Sequence, residues 1–254
     1  MQVYSHKVAL ITGGSRGIGA ATAVALSQQN YDIAITYRNK ASRANEVLAT
    51  VTGYGVAGLA RPCDITQTND VTHFFEDFKQ WADHLDILVL NASGGMERDL
   101  VAADPHYPMH INRDAQLAFV DATLPLMHPG STIVFVTSHW AYLYGQIQQI
   151  PAYEPVAESK HAGEQALRAR QNEFETLGIR LLVVTGDLIE GTITPKLLER
   201  TAPGLIAHRR DTSGALPTAT EMGEKIAQAA IDTNLSSGST VVIGEPLETM
   251  LNSQ

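Results

Sequence analysis

Seven short, nearly uninterrupted apolar runs, separated by longer amphipathic segments, limit what this chain can fold into more than any other feature. They lie at 8–11, 33–35, 56–60, 87–90, 133–136, 181–184 and 241–243. A strand with one face in water alternates apolar and polar residues, whereas an unbroken run suits a strand covered on both faces. The spacers carry helical patterning. Ile18, Ala21, Ala25 and Leu26 share one face, as do Met222, Ile226, Ala229 and Ala230. Strands and helices in alternation predict an α/β fold: a doubly wound parallel sheet of about seven strands with helices on both faces. No repeat, low-complexity tract or linker divides residues 1–254, so one domain is expected. Residues 187–217 break the rhythm. They show only a short helical pattern around Lys196-Leu197-Leu198, and a long excursion after a strand end is expected to cover a ligand site.

Composition excludes several classes. Hydrophobic residues make up 44% of the 254, enough for a sizeable core. The net charge of −9 repels phosphate backbones, so nucleic acid is not an expected partner. Nothing approaches the roughly 20 apolar residues of a membrane helix. The N-terminus lacks a leader pattern, and the lone Cys63, expected to be a buried structural thiol, fits a reducing, cytoplasmic setting. No metal site is expected.

The first strand runs into Thr12-Gly13-Gly14-Ser15-Arg16-Gly17-Ile18-Gly19, which opens a helix. In this context glycines permit a tight turn, close approach of a pyrophosphate and packing of helix on strand. The helix N-terminus offers free N–H groups to the phosphates. The pattern predicts a Rossmann-type dinucleotide site. An NAD site usually places an acid at the end of the second strand. Here Tyr37 and Arg38 stand there, and Arg16 lies in the glycine turn. Two guanidiniums suit a 2′-phosphate, so the expected cofactor is NADP(H).

At this point the chain resembles the short-chain dehydrogenase/reductases over nearly its whole length. Thr12-Gly13-x-x-x-Gly17-Ile18-Gly19 matches that family's cofactor turn. Asp64 and Ile65, ending the third strand, fall at its adenine contact. Asn91-Ala92-Ser93-Gly94 is similar to its Asn-Asn-Ala-Gly segment. Asn112 falls on its active-site asparagine, Ser138 on its catalytic serine and Lys160 on its catalytic lysine; Gly186 and Leu188 fall beside its cofactor. The resemblance implies hydride transfer between a nicotinamide and a small, mostly apolar carbonyl or alcohol. It also implies a homodimer or homotetramer.

One departure bears on mechanism. The family's tyrosine lies four residues before its lysine, and that position is Val156. Tyr153 is the leading substitute. It precedes Lys160 by close to two helical turns, but Pro155 suggests that it lies just outside the helix. Tyr142, Tyr144, His139 and a bound water are further candidates. Tyr142, Tyr144 and Trp140 suit an aromatic wall for an apolar substrate better than they suit acids. The expected activity is an NADPH-dependent carbonyl reductase with a non-standard proton donor. The alternatives are a catalytically silent NADP(H)-binding sensor or scaffold, or a lyase or isomerase using Asp187 or Glu190 as base.

Overall fold

The computed structural model describes residues 7–252. Residues 1–6, on which the reading of the N-terminus partly falls, and residues 253–254 lie outside the described part. In chain order the elements are β1 (Lys7–Ile11), α1 (Gly17–Ser27), β2 (Tyr31–Tyr37), α2 (Ala41–Thr52), β3 (Gly58–Pro62), α3 (Thr68–Trp81), β4 (Leu85–Leu90), α4 (Arg98–Ala103) and α5 (Tyr107–Met109). A π-helical turn, His110–Asp114, leads into α6 (Ala115–Thr123) and β5 (Met127–Ser138). Then follow α7 (His139–Tyr142), α8 (Glu154–Ala169), α9 (Gln171–Thr176), β6 (Arg180–Gly186), α10 (Ile193–Thr201), α11 (Leu205–Ser213), α12 (Ala219–Ile231), β7 (Thr240–Ile243) and α13 (Leu247–Asn252).

The seven strands form one parallel sheet in the order β3-β2-β1-β4-β5-β6-β7. The apolar runs of β1 to β6 each serve two cores at once, whereas that of the edge strand β7 joins only one and leaves Val242 exposed. Val8 and Leu10 of β1 enter a core with Phe74, Phe78 and Phe119, while Ala9 and Ile11 enter another with Leu26 and Ile226. Leu88 and Leu90 of β4 alternate with Ile87 and Val89 in the same way. That division explains why the runs do not alternate in polarity.

Three expectations shift. The third strand is Gly58–Pro62 rather than 56–60. It is an edge strand, where a terminal proline costs no ladder bond to a further strand. On α1, Thr22 and Ala23 are buried with Ala25 and Leu26, while Ile18 and Ala21 are only half-buried. The excursion contains two helices, α10 and α11, where the sequence suggested one. No residue of α11 is buried, so it lacks the apolar stripe that would have announced it.

Strand order changes direction between β1 and β4, the place where α/β sheets open a crevice at their carboxyl ends. Ile11 pairs with Ile35 on one side and with Val89 on the other, which brings the glycine turn, Arg38 and Asn91 to one edge. Ser138 pairs with Gly186, and Gly186 with Ile243, so β5, β6 and β7 end side by side.

Candidate active site

The glycine turn is built as the sequence predicts. Gly17 sits at φ +56, a conformation that favours glycine, and the first atom of any side chain there would project toward Thr192, 3.6 Å from its methyl. The N-terminus of α1 has no side-chain cap and no acid in its first turn, so its amides face the crevice uncapped. This cradle fits a pyrophosphate. Asn91 braces it from β4: its side-chain amide donates to the carbonyls of Thr12 (2.9 Å) and Gly13 (3.2 Å). The backbone N–H groups of Asn91 and Ala92 donate to Thr12 Oγ1. Asn91 was expected at the cofactor; here its side chain is committed to the turn.

Just past β3, Asp64 accepts from both the backbone and the hydroxyl of Thr66, which fixes its carboxylate beside Ile65. Arg16 is exposed and shares a groove of about 360 Å³ with Ser15 and Arg43 of α2, a third arginine that the sequence reading did not single out. Arg38, just after β2, donates through Nη1 to the Tyr107 hydroxyl at 2.8 Å. Tyr37 is half-buried at the end of β2 and packs on the second core.

Beyond the ends of β4 and β5 a second group of polar side chains is assembled from four segments. Asn112 lies in the π-helical turn and is buried. Its amide donates to the Gly94 carbonyl and to Ser159 Oγ, both at 2.9 Å; its oxygen accepts from Ser93 Oγ at 2.9 Å and from the Gly94 N–H at 3.3 Å. One side chain thus pins the loop after β4 to α8. Gly163 of α8 lies on the Asn112 carbonyl so closely that a Cβ would come within 2.2 Å of it. Only glycine allows that approach, which sets the height of Lys160 one turn earlier. Lys160 is 8% exposed, and burial alone pushes its ammonium down to about 8. Among the described residues its ammonium bonds no side chain.

Tyr153, just before α8, is 7% exposed and donates its hydroxyl to Ser138 Oγ at 3.1 Å. Ser138 also accepts from the Ala141 N–H at 3.2 Å. A hydroxyl has two lone pairs and one proton. With both lone pairs engaged, the Ser138 proton remains available for a third oxygen. Burial raises the Tyr153 pKa and the bond to Ser138 works against that rise. Val156 is buried, with its methyl 3.0 Å from where a Cβ on Gly95 would stand.

The other donor candidates lie elsewhere. The His139 ring is fully buried, and its Nδ1 meets Thr185 Oγ1 at 3.0 Å, on β6. Burial, the largest influence, holds its pKa down at about 4 against a weaker opposing pull from Asp187, so the ring is neutral near pH 7. The depressed value makes a prediction. Neutral His139 contributes stability above pH 6.5, and that contribution is lost as pH falls toward 4, because the unfolded chain takes up the proton first. The loss should approach about 3 kcal/mol, and denaturant titrations of wild type and His139→Gln across that window should show it only in the wild type. Tyr144 packs half-exposed on His161, with ring centroids 5.8 Å apart. Tyr142 and Tyr144 flank an apolar cluster that contains Trp140, Tyr153, Val156 and, from the excursion, Leu188, Leu198 and Leu216. Cys63 is buried, and burial pushes its thiol up to about 12, as expected of a structural cysteine.

Asp187 is buried and Glu190 is partly exposed, and each carboxylate is paired with an arginine of α11. Arg209 of α11 grips Asp187 with two bonds, at 3.0 and 2.9 Å, and also bonds Glu245 after β7. Its guanidinium lies over the Trp140 ring at 5.2 Å. Arg210 pairs with Glu190 at 2.6 Å. The two carboxylates that a lyase or isomerase would use as bases are thus both ion-paired. Gly186 is buried at the foot of this assembly, and the backbone N–H of Leu188 donates to Asp187 Oδ1 at 2.6 Å.

A family model described as short chain dehydrogenase matches residues 7–201. The chain belongs to the short-chain dehydrogenase family. It is 32% identical over 191 residues to a 1-cyclohexenylcarbonyl-CoA reductase of Streptomyces collinus, covering 73% of this chain and 65% of that protein, just under two thirds of its length. It is 27% identical over 205 residues to a hydroxynaphthalene reductase of Aspergillus fumigatus, covering 79% and 72%. Among solved structures, a short chain dehydrogenase from Burkholderia cenocepacia in complex with NADP superposes with a TM-score of 0.81 at 26% identity, covering 95% of this chain and 98% of that one. An angucycline C-6 ketoreductase with bound NADP gives 0.80 at 25% identity, covering 95% and 96%.

Proposed function

We propose that this protein is an NADPH-dependent reductase in which Tyr153, working through Ser138, supplies the proton that the family's missing tyrosine would give. The observation that carries the reading is the 3.1 Å bond from the Tyr153 hydroxyl to Ser138 Oγ. The α1 cradle would hold the pyrophosphate, with Arg16 and Arg38 at the adenosine end and Lys160 toward the nicotinamide ribose. Bound there, the reduced dinucleotide supplies a hydride. The chain's own task is to hold an oxygen and deliver a proton. Ser138 donates to the substrate oxygen, and Tyr153 replaces that proton. The apolar wall from Trp140 to Leu216 excludes water and favours a mostly apolar substrate. NADP in the two related structures named above supports the choice of cofactor.

A specific observation favours a second reading, reduction of a C=C bond conjugated to a carbonyl. The influences on the Tyr153 hydroxyl are burial and Ser138, with no pull from Lys160. A ketone reduced at its carbonyl carbon leaves a strongly basic alkoxide. Hydride added at the far carbon of an enone leaves an enolate, whose oxygen is far less basic and closer to a phenol without an ammonium beside it. The Streptomyces collinus relative is named for a substrate with a ring double bond next to a thioester carbonyl.

The test is a panel assay. Purified protein with NADPH is offered aryl and cyclic ketones, cyclic enones and 2-enoyl thioesters, and products are identified by mass spectrometry. Consumption of NADPH with any of them supports the reductase. A saturated carbonyl product selects the second reading, and an alcohol selects the first. Tight NADPH binding with no turnover anywhere on the panel would favour the silent sensor instead.

A further inference from the structure

We propose that Tyr107 and Glu97 are positioning residues for Arg38, so that discrimination between NADPH and NADH depends on a phenol donated from the far side of the crevice. The inference rests on the cofactor reading above and deepens it. Arg38 follows β2, and Tyr107 lies on α5, 69 residues further along the chain. The Nη1–hydroxyl bond of 2.8 Å therefore joins the two sides of the sheet's switch point. Glu97 approaches the other guanidinium nitrogen at 3.6 Å, and its second oxygen accepts from the Gly95 N–H at 2.8 Å. Tyr107 is itself immobile: it is 8% exposed and packs in the core beneath, with its oxygen 3.0 Å from where a Cβ on Gly94 would stand.

An unrestrained arginine on a protein rim samples many rotamers, and ordering it costs side-chain entropy. The tie to a buried phenol meets that cost before a ligand arrives. It uses one of five N–H donors and leaves the rest of the planar fork for a phosphate. The Glu97 contact is half-exposed and loose, so its role is to steer rather than to neutralise. One further group completes the setting. Burial, then the Glu97 carboxylate and, more weakly, that of Asp64 raise the Tyr107 hydroxyl to about 12 against the pull of Arg38, so it stays a neutral acceptor. A ligand without the 2′-phosphate has no use for the fork, so only NADPH should sense the tie.

Calorimetry of dinucleotide binding tests this without turnover. Tyr107→Phe keeps the packed ring and removes only the acceptor. It should weaken NADPH binding roughly ten-fold, the loss that accompanies one hydrogen bond from a charged donor. NADH affinity should stay within about two-fold. Arg38→Ala should weaken NADPH binding further, and adding Tyr107→Phe to it should then do nothing more. Should Tyr107→Phe fail to fold, Arg38→Lys on the exposed rim gives the same information. One ammonium cannot span both the phenol and a phosphate, so its NADPH affinity should fall toward that of Arg38→Ala. Unchanged NADPH affinity in Tyr107→Phe, or wild-type affinity in Arg38→Lys, overturns the proposal. Wild-type protein that binds neither dinucleotide overturns the reductase reading itself.

Discussion

Tyr153→Phe is expected to lower kcat by roughly 10²–10⁴ while leaving NADPH affinity and melting temperature near wild type, since positioned proton transfer typically contributes that much. The ring stays in its apolar cluster, and only the hydroxyl on Ser138 is lost. The cost to stability is that of one hydrogen bond, about 1 kcal/mol. Ser138→Ala should give a loss of similar size. The double variant should be little worse than either single one, because residues acting in series are not additive. Steady-state kinetics of the four proteins on the best substrate of the panel decides the matter. A Tyr153→Phe protein within a few-fold of wild type would move the proton source to water held near Lys160 and Asn112. His139 cannot take over, being buried, neutral and tied to Thr185.

Arg209→Ala should be the most destabilising single change in the excursion. Asp187 is 1% exposed and Glu245 is 6% exposed, and one guanidinium bonds both. Removing it leaves two buried carboxylates facing each other with no cation, and breaking a buried pair in this way typically costs about 3–5 kcal/mol. For a chain of this size that corresponds to a fall in Tm on the order of 10 °C. The sign of the pH dependence is specific. In the variant the two buried carboxylates repel each other with no cation between them, and acid weakens that repulsion, so the gap to wild type should narrow as pH falls. Arg209→Lys keeps the charge but loses the two-pronged bond and the stacking on Trp140, and should fall between the two. Melting curves at mildly alkaline and mildly acidic pH provide the check. A variant melting within 2 °C of wild type at both would show that α11 is not held by this charge.

The same cluster shows what stayed hidden in the sequence. Asp187, Glu245 and Arg209 are far apart along the chain, and nothing in their local patterns links them. They meet because Ser138, Gly186 and Ile243 end their strands in register. Helix α11 stayed hidden for the same reason, since charge pairs rather than an apolar stripe hold it. Arg38 was legible as a cation near the adenosine end, but its attachment to Tyr107 was not. Thr192 and Arg43 were also missed, because a threonine in a loop and an arginine on a helix surface carry no periodic signal.

What residue order did settle was whatever depends on near neighbours. Unbroken apolar runs require strands covered on both faces, and glycines between a strand and a helix require a tight, uncapped turn. Those two facts imply the sheet, its direction and the place of the crevice. The direction of the Tyr153 ring was beyond the reach of periodicity. It sits one residue before α8, where helical spacing stops applying and the path of the preceding loop aims the side chain. Packing of that loop against Trp140 and Val156 turns the hydroxyl onto Ser138, a phenol contact that Val156 cannot make.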